Sequence, residues 1–354
     1  NEAGLNVNQY GNRNIIINGA MQVAQRGTSV TSITTADYRT CDRFLFGPTS
    51  GTYTVTQESS ASTADGFTNS LKIETTATGS STNATLQQRI EGQNLQHLGY
   101  GTSSAKQTTV SFYVKSNKTG TYTLELYNAD ATRQISKNYT IDASGTWERK
   151  TITFPGDTSN GFGNDSGLSL YLFWWLAAPS SFTSGTQNTS AWASATNANR
   201  VSSSIVDISD TVGNYWEITG VQWEVGDTAT DFEHRTYGDE LAKCQRYFQV
   251  VSNVQNDLIG MCIRYNSSNT FCFFDLPVEM RDQPAVEQNG ASADIRITMT
   301  GNSNNFTSCT LDNDSSPRKI RLNTSTVVRA ASNGDAGWWR INNSGGFINL
   351  DAEI

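Results

Sequence analysis

The chain has 354 residues, with 25 Lys and Arg against 33 Asp and Glu and a formal net charge of −8 at pH 7. That balance leaves no basic footprint for a nucleic-acid backbone, and the longest apolar run, Leu168 to Pro179, falls short of the roughly 20 residues needed to cross a bilayer. Nucleic-acid binding and membrane insertion are therefore not expected, whereas two separate cores are within reach of this length. The acidity is uneven: the first 240 residues carry 15 basic and 22 acidic groups, the remainder 10 and 11.

The opening stretch NEAGLNVNQYGNR is polar and without period, which predicts a connector over residues 1–13. It begins with Asn rather than Met, as a processed chain or a piece of a longer one would. Order is expected from NIIINGAMQVAQRG onward. Strands follow at DRFLFGP, GTYTVTQES, NSLKIETTA, ATLQQRIEG, TTVSFYVKS, GTYTLELYN, SKNYTIDAS, TWERKTITFPG, LSLYLFWWLAA and NYWEITGVQWEVG, separated by Gly, Asn and Ser clusters. Turn signals about every 8 to 12 residues describe a two-sheet sandwich over residues 14–237. Within its final strand the apolar phase moves from Trp216 and Ile218 to Val221 and Trp223, with Gly220 at the switch. A bulge at Gly220 would keep both sets on the core face.

Two features inside this region carry candidate chemistry. The turn DTSNGFGNDSG gathers Asp157, Asn160, Asn164 and Asp165, hard oxygen ligands suited to a structural Ca²⁺ although the EF-hand spacing is absent. In LSLYLFWWLAA the leucines take one face, while Tyr171, Phe173 and Trp175 line the other. Such a file needs a cover, which a loop, a neighbouring subunit or a sugar ring would supply. Trp192, alone on a polar loop, is a candidate second glycan contact.

After the final strand, Asp231, Glu233, His234 and Arg235 form a charged loop. No nucleophile motif accompanies them, so they read as a domain joint or subunit interface rather than a catalytic centre. DELAKCQRYF then predicts a helix over residues 238–250, with Asp239 as its cap. A second alternating region over 251–354 predicts a smaller β-sandwich, on which Trp339, one of two neighbouring tryptophans, is taken to face outward as a glycan contact. The five cysteines show no zinc spacing; Cys262 and Cys272 sit opposite in a hairpin, as two small buried hydrophobes or a bridge.

Together, NIIINGAMQVAQRG, DYRTCDRFLF and GVQWEVGDTATDFEHRTYGDELAKCQRYF resemble the tail-fibre and receptor-binding proteins of phages, especially those of marine bacteria, over roughly residues 14 to 250. That pattern often has Pro where Asp231 stands and Leu where Trp223 stands. The resemblance implies a jelly roll similar to carbohydrate-binding modules, a homotrimer, a place in the virion tail beside other tail proteins, and attachment to host polysaccharide or lipopolysaccharide. The expected fold class is thus all-β: a jelly-roll β-sandwich, a short helix and a smaller C-terminal β-sandwich. The expected function is multivalent adhesion without catalysis and with no cofactor beyond the Ca²⁺ considered above. A hydrolase using strand carboxylates such as Glu91, Glu125, Asp130 or Glu148, or an architectural virion component, are the alternatives.

Overall fold

The computed structural model describes residues 12–59, 66–80, 82–289, 294–328 and 330–354. The expected connector therefore lies outside the described residues except for Asn12 and Arg13. The chain divides into two compact units, with the division between Glu240 and Leu241.

The first unit is a jelly-roll β-sandwich. Its strands in chain order are β1 (Ser29–Ile33), β2 (Asp37–Tyr38), β3 (Leu45–Pro48), β4 (Thr52–Glu58), β5 (Ser70–Ala77), β6 (Ala84–Glu91) and β7 (Thr108–Ser116). They continue with β8 (Gly120–Asn128), β9 (Arg133–Ile141), β10 (Glu148–Phe154), β11 (Leu168–Ala177), β12 (Ala193–Ser194) and β13 (Tyr215–Val225). One sheet has the order β1-β4-β5-β13-β7-β10 and the other β12-β9-β8-β11-β6-β3-β2. One face of each sheet meets the other across the core, and β6, β11 and β13 are largely buried on their second face as well. Phe112, Leu124, Leu172, Trp174, Trp216 and Trp223 are all fully buried there. Truncating any one of the three tryptophans to Ala would cost about 3–5 kcal/mol.

The bulge expected at Gly220 is present. The register of β13 against β7 shifts between Thr219 and Gln222, Gly220 takes φ +60°, and Trp216, Ile218, Val221 and Trp223 are all buried. The same shift places Tyr215, Glu217, Gln222 and Glu224 on the outer face. Glycine is required twice over: a Cβ would lie 2.6 Å from the Phe67 ring and 3.0 Å from Tyr113, besides the cost of a left-handed backbone.

The helix runs Tyr237–Gln245, shorter than the expected 238–250, because Phe248–Ser252 is already a strand. Its cap is Thr236 rather than Asp239: the Asp239 amide donates to Thr236 Oγ1 (3.2 Å) while the hydroxyl donates to Asp239 Oδ2 (2.7 Å), so the side chain of the third helical residue holds the capping hydroxyl in place.

The second unit is a smaller sandwich of β14 (Phe248–Ser252), β15 (Leu258–Arg264), β16 (Thr270–Asp275), β17 (Ala285–Gln288), β18 (Ile295–Met299) and β19 (Asn302–Phe306), followed by β20 (Thr310–Leu311), β21 (Lys319–Thr324), β22 (Ala336–Ile341) and β23 (Ile348–Asp351). A three-stranded sheet, β14-β23-β17, packs with a seven-stranded one, β19-β18-β22-β15-β16-β21-β20, around a core that includes Ile259, Ile297, Leu322, Trp339 and Leu350. Cys262 and Cys272 are direct cross-strand partners, and both are buried free thiols.

Gly220→Ala is expected to lower stability by about 1–3 kcal/mol through overpacking and φ strain. A urea-denaturation midpoint equal to that of the parent chain would show that the bulge does not need glycine.

Candidate functional site

Two of the three rings in the aromatic file of β11 are closed off from solvent by the chain itself, and Tyr171 at its start is half-buried. Phe173 and Trp175 are buried, and they cluster with Val201, Tyr127, Tyr171, Phe182 and Ile205. At the centre sits Arg200, its guanidinium carbon 4.9 to 5.5 Å from the ring centroids of Tyr127, Phe173, Trp175 and Phe182. The same guanidinium donates to both oxygens of Glu125, at 2.8 and 3.0 Å, and Trp175 Nε1 donates to Glu125 at 2.8 Å. Glu125 is wholly buried. Burial pushes its carboxyl above the ordinary value, against the opposing pull of Arg200 and Trp175. A fork-shaped cation that is weakly hydrated and flat suits both the carboxylate and the ring faces. Of the three covers considered for Tyr171, Phe173 and Trp175, the structure supplies a loop, so Phe173 and Trp175 present no sugar-binding surface.

The other expected contacts are also internal. Trp192 is 7% exposed; it packs edge-on against Tyr100 at 5.7 Å and donates to the Pro155 carbonyl at 2.8 Å. It does share a hollow of about 260 Å³ with Arg133 and Asp157. Trp339 is fully buried in the second unit, and its neighbour Trp338 faces out, 42% exposed. The outward assignment is corrected accordingly: Trp339 shares its side of β22 with Ile341 and packs on Phe306, ring centroids 4.7 Å apart.

Nor does the Asp157–Asp165 turn converge on a cation. Asp157 is buried and accepts from Arg133 Nε and Nη2 at 2.6 and 3.1 Å, whereas Asn160, Asn164 and Asp165 are exposed. Asp165 instead accepts from the Gly167 amide in its own turn (2.8 Å). Among the described residues no group of three or more His, Cys, Asp or Glu side chains could hold a metal ion.

Asp231, Glu233, His234 and Arg235 belong to a clamp within the first unit. Glu233 accepts from the amides of Asn12, Arg13 (3.3 Å) and Asn14 (2.8 Å). Arg235 pairs with Glu233 (3.0 Å) and Glu240 (3.4 Å) and donates to the carbonyls of Asn14 and Ile16. Arg13 donates to the Asp231 carbonyl. Burial alone would raise the Glu233 carboxyl, but the Asn14 amide, Arg235 and the other amides hold it below the ordinary range. His234 lies against Phe67 and Phe232, with centroids 5.3 and 4.9 Å away. This loop pins the start of the described chain to β13 and roofs one end of the first sheet's outer face, where Phe67 also meets Tyr113 at 5.6 Å.

The other end of that face carries a built trough. A row of direct cross-strand partners runs Thr56, Lys72, Glu217 and Lys115 over β4, β5, β13 and β7. Glu217 is 4% exposed, 2.7 Å from the Lys115 ammonium, and accepts from Ser70 Oγ at 2.6 Å. Lys72 pairs with Glu74 at 2.6 Å and lies 4.9 Å from the Tyr215 ring centroid; Lys115 lies 4.7 Å from that of Trp147. Burial would lower the Lys72 ammonium, but Glu74, Glu58 and Glu217 outweigh it and hold it above the ordinary value. Glu58, Lys72, Lys115, Tyr215 and Glu217 enclose about 290 Å³. Two half-buried aromatic rings fixed by cations, beside hydrogen-bonding groups of both signs, can hold a small polyhydroxylated ligand. Sequence reading missed these residues, although Tyr215 and Glu217 have the parity opposite to Trp216 and Ile218.

The strand carboxylates considered for hydrolysis are engaged elsewhere. Glu125 is sealed with Arg200, Glu91 is buried and accepts from Gln93 (2.5 Å), and Glu148 accepts from the amides of Asp142 and Ala143 at 2.9 and 2.8 Å. Asp130 accepts from the Gly163 amide at 2.8 Å.

Arg200→Met should destabilise the chain by about 3–5 kcal/mol, because it strands a buried charge. Glu125 would then take up a proton more readily in the folded than the unfolded state, so the deficit should shrink as pH falls toward 4.5, the ordinary carboxyl value. Urea titrations at several pH values measure both, and the double variant Glu125→Leu/Arg200→Met should recover much of the loss.

No protein-family model and no curated protein sequence matches the chain. Solved structures with some likeness include the enzymatically active domain of tailspike protein 4 of bacteriophage CBA120, at 13% identity and TM-score 0.34, covering 60% of this chain and 22% of that one. A family 4 carbohydrate-binding module (10%, 0.29) covers 59% of this chain and 98% of its own. A family 11 module from a cellulosomal cellulase of Clostridium thermocellum (12%, 0.27) covers 58% and 99%. The chain thus spans about a fifth of the tailspike chain.

Proposed function

We propose that the protein binds carbohydrate without cleaving it, through the trough on the outer face of the first sheet. The observation that carries this reading is the hollow of about 290 Å³ in which Tyr215 stands beside the Lys72–Glu217–Lys115 row, with Trp147 set against Lys115 at its margin. Ring faces take the C–H side of a pyranose, and the alternating charges take its hydroxyls. Binding rather than hydrolysis is favoured because Glu217, the deepest carboxylate of the trough, is already held by Lys115 and Ser70 and is poorly placed to give or take a proton.

The resemblance stated from the sequence extends the proposal to a virion tail fibre that attaches to host polysaccharide or lipopolysaccharide as a homotrimer. A trough this small makes a weak contact, and display in three copies would raise avidity by roughly 10² to 10⁴. Light scattering should then give about three times the 38.6 kDa chain mass; a mass of one chain would remove the multivalent part of the proposal.

Titration of the full chain with oligosaccharides from host-surface polysaccharide tests the site. Tyr215→Ala and Trp147→Ala should each weaken binding about tenfold, corresponding to about 1.4 kcal/mol, with thermal stability close to that of the parent. Unchanged affinity in both variants, or progressive shortening of the oligosaccharides, would contradict it.

A further inference from the structure

The second unit carries an unpartnered cationic pair beside an open tryptophan. On the outer face of its seven-stranded sheet, Arg296 of β18 and Arg340 of β22 are direct cross-strand partners, and one step along the same strands Thr298 faces Trp338. Core residues alternate with them: Ile295, Ile297, Trp339 and Ile341 are buried. All four members of the two pairs therefore share the outward side.

Like charges opposite each other on neighbouring strands repel, yet no carboxylate among the described residues lies within ion-pair distance of either guanidinium. Arg296 donates only Nε, to Asn305 at 3.0 Å. Arg340 is half-buried and its Nε is shielded from solvent without a hydrogen-bond partner. In a chain of net charge −8, two arginines left without acids mark a place where an anion from outside would relieve the repulsion and accept from the outer guanidinium nitrogens. Trp338, 42% exposed, has no ring or cation neighbour among the described residues. It stands about 6.8 Å along the strand from Arg340, two residues at strand rise.

The geometry points to a site for an acidic saccharide, in which a pyranose lies on the Trp338 indole and its carboxylate is gripped by Arg296 and Arg340. Arg forks match carboxylate oxygens two at a time, and the indole face supplies the apolar contact that a free anion lacks. A nucleic acid would use the same side-chain types, but two cations form no track along a phosphate backbone. The site lies in a different unit from the trough and does not depend on it.

The test is a titration of the full chain, followed by Trp fluorescence or calorimetry, with oligogalacturonate and oligomannuronate, their uncharged galactan and mannan counterparts, and inorganic phosphate. At least one acidic oligomer should bind saturably and about tenfold more tightly than its neutral counterpart, and weaken as salt rises. Arg340→Gln and Arg296→Gln should each abolish the preference for the acid while leaving the melting temperature unchanged; Trp338→Ala should weaken acidic and neutral oligomers alike. Saturable binding by neither acidic oligomer, equal binding of acidic and neutral forms, phosphate binding as tightly as the acidic oligomer, or an unchanged preference in Arg340→Gln would each overturn the assignment. Tyr215→Ala should leave the preference intact, so failure here and failure of the trough read out separately.

Discussion

The first unit depends on one buried contact, the fork of Arg200 on Glu125 beneath a cage of aromatic rings. A sandwich has two outer faces, and a row of aromatic side chains on either one invites a ligand. Here the loop after β11 returns across the second sheet and lowers a guanidinium into that row. Both ends of the cation are satisfied at once, its hydrogen bonds by a carboxylate and its flat faces by rings. The face richest in aromatic residues is thereby converted to interior, and the first sheet is left to meet solvent with its own polar ladder.

The first sheet's outer face is shaped by two further constraints. Gly220 permits the bulge that keeps Trp216, Ile218, Val221 and Trp223 inside, and so keeps Tyr215 and Glu217 on the same outer surface as Gln222 and Glu224. The loop through Glu233 and Arg235 then covers the Gln222 end, where Gln222 Oε1 accepts from the Glu233 amide at 2.8 Å. What stays open is the end around Lys72, Lys115 and Tyr215. The charged loop is structural, yet by roofing one end it sets the length of the trough.

Strand positions, the bulge and the helix were legible in the sequence because each has a local signature: period-two alternation, a phase change at a glycine, or helical spacing after a turn. The helix cap was equally readable as Thr236 with Asp239 three residues on, and was assigned three residues too late. What covers β11 was not legible. Alternation says that Tyr171, Phe173 and Trp175 share a face, but Arg200 lies far along the chain in a stretch without period, and only the fold brings it to Glu125. The outward tryptophan of β22 could have been chosen correctly, since Ile341 shares parity with Trp339 and Arg340 with Trp338. The trough was missed because its residues are ordinary strand charges until four strands set them in one row.

Hydroxyl-radical footprinting of the full chain, read by mass spectrometry, tests most directly which face is closed and which is open. If the loop seals the second sheet, oxidation should be found at Trp147 and Tyr215, with Phe173 and Trp175 protected. Rapid modification of Trp175 and Phe173, with Tyr215 and Trp147 silent, would show that the two faces have been assigned the wrong way round.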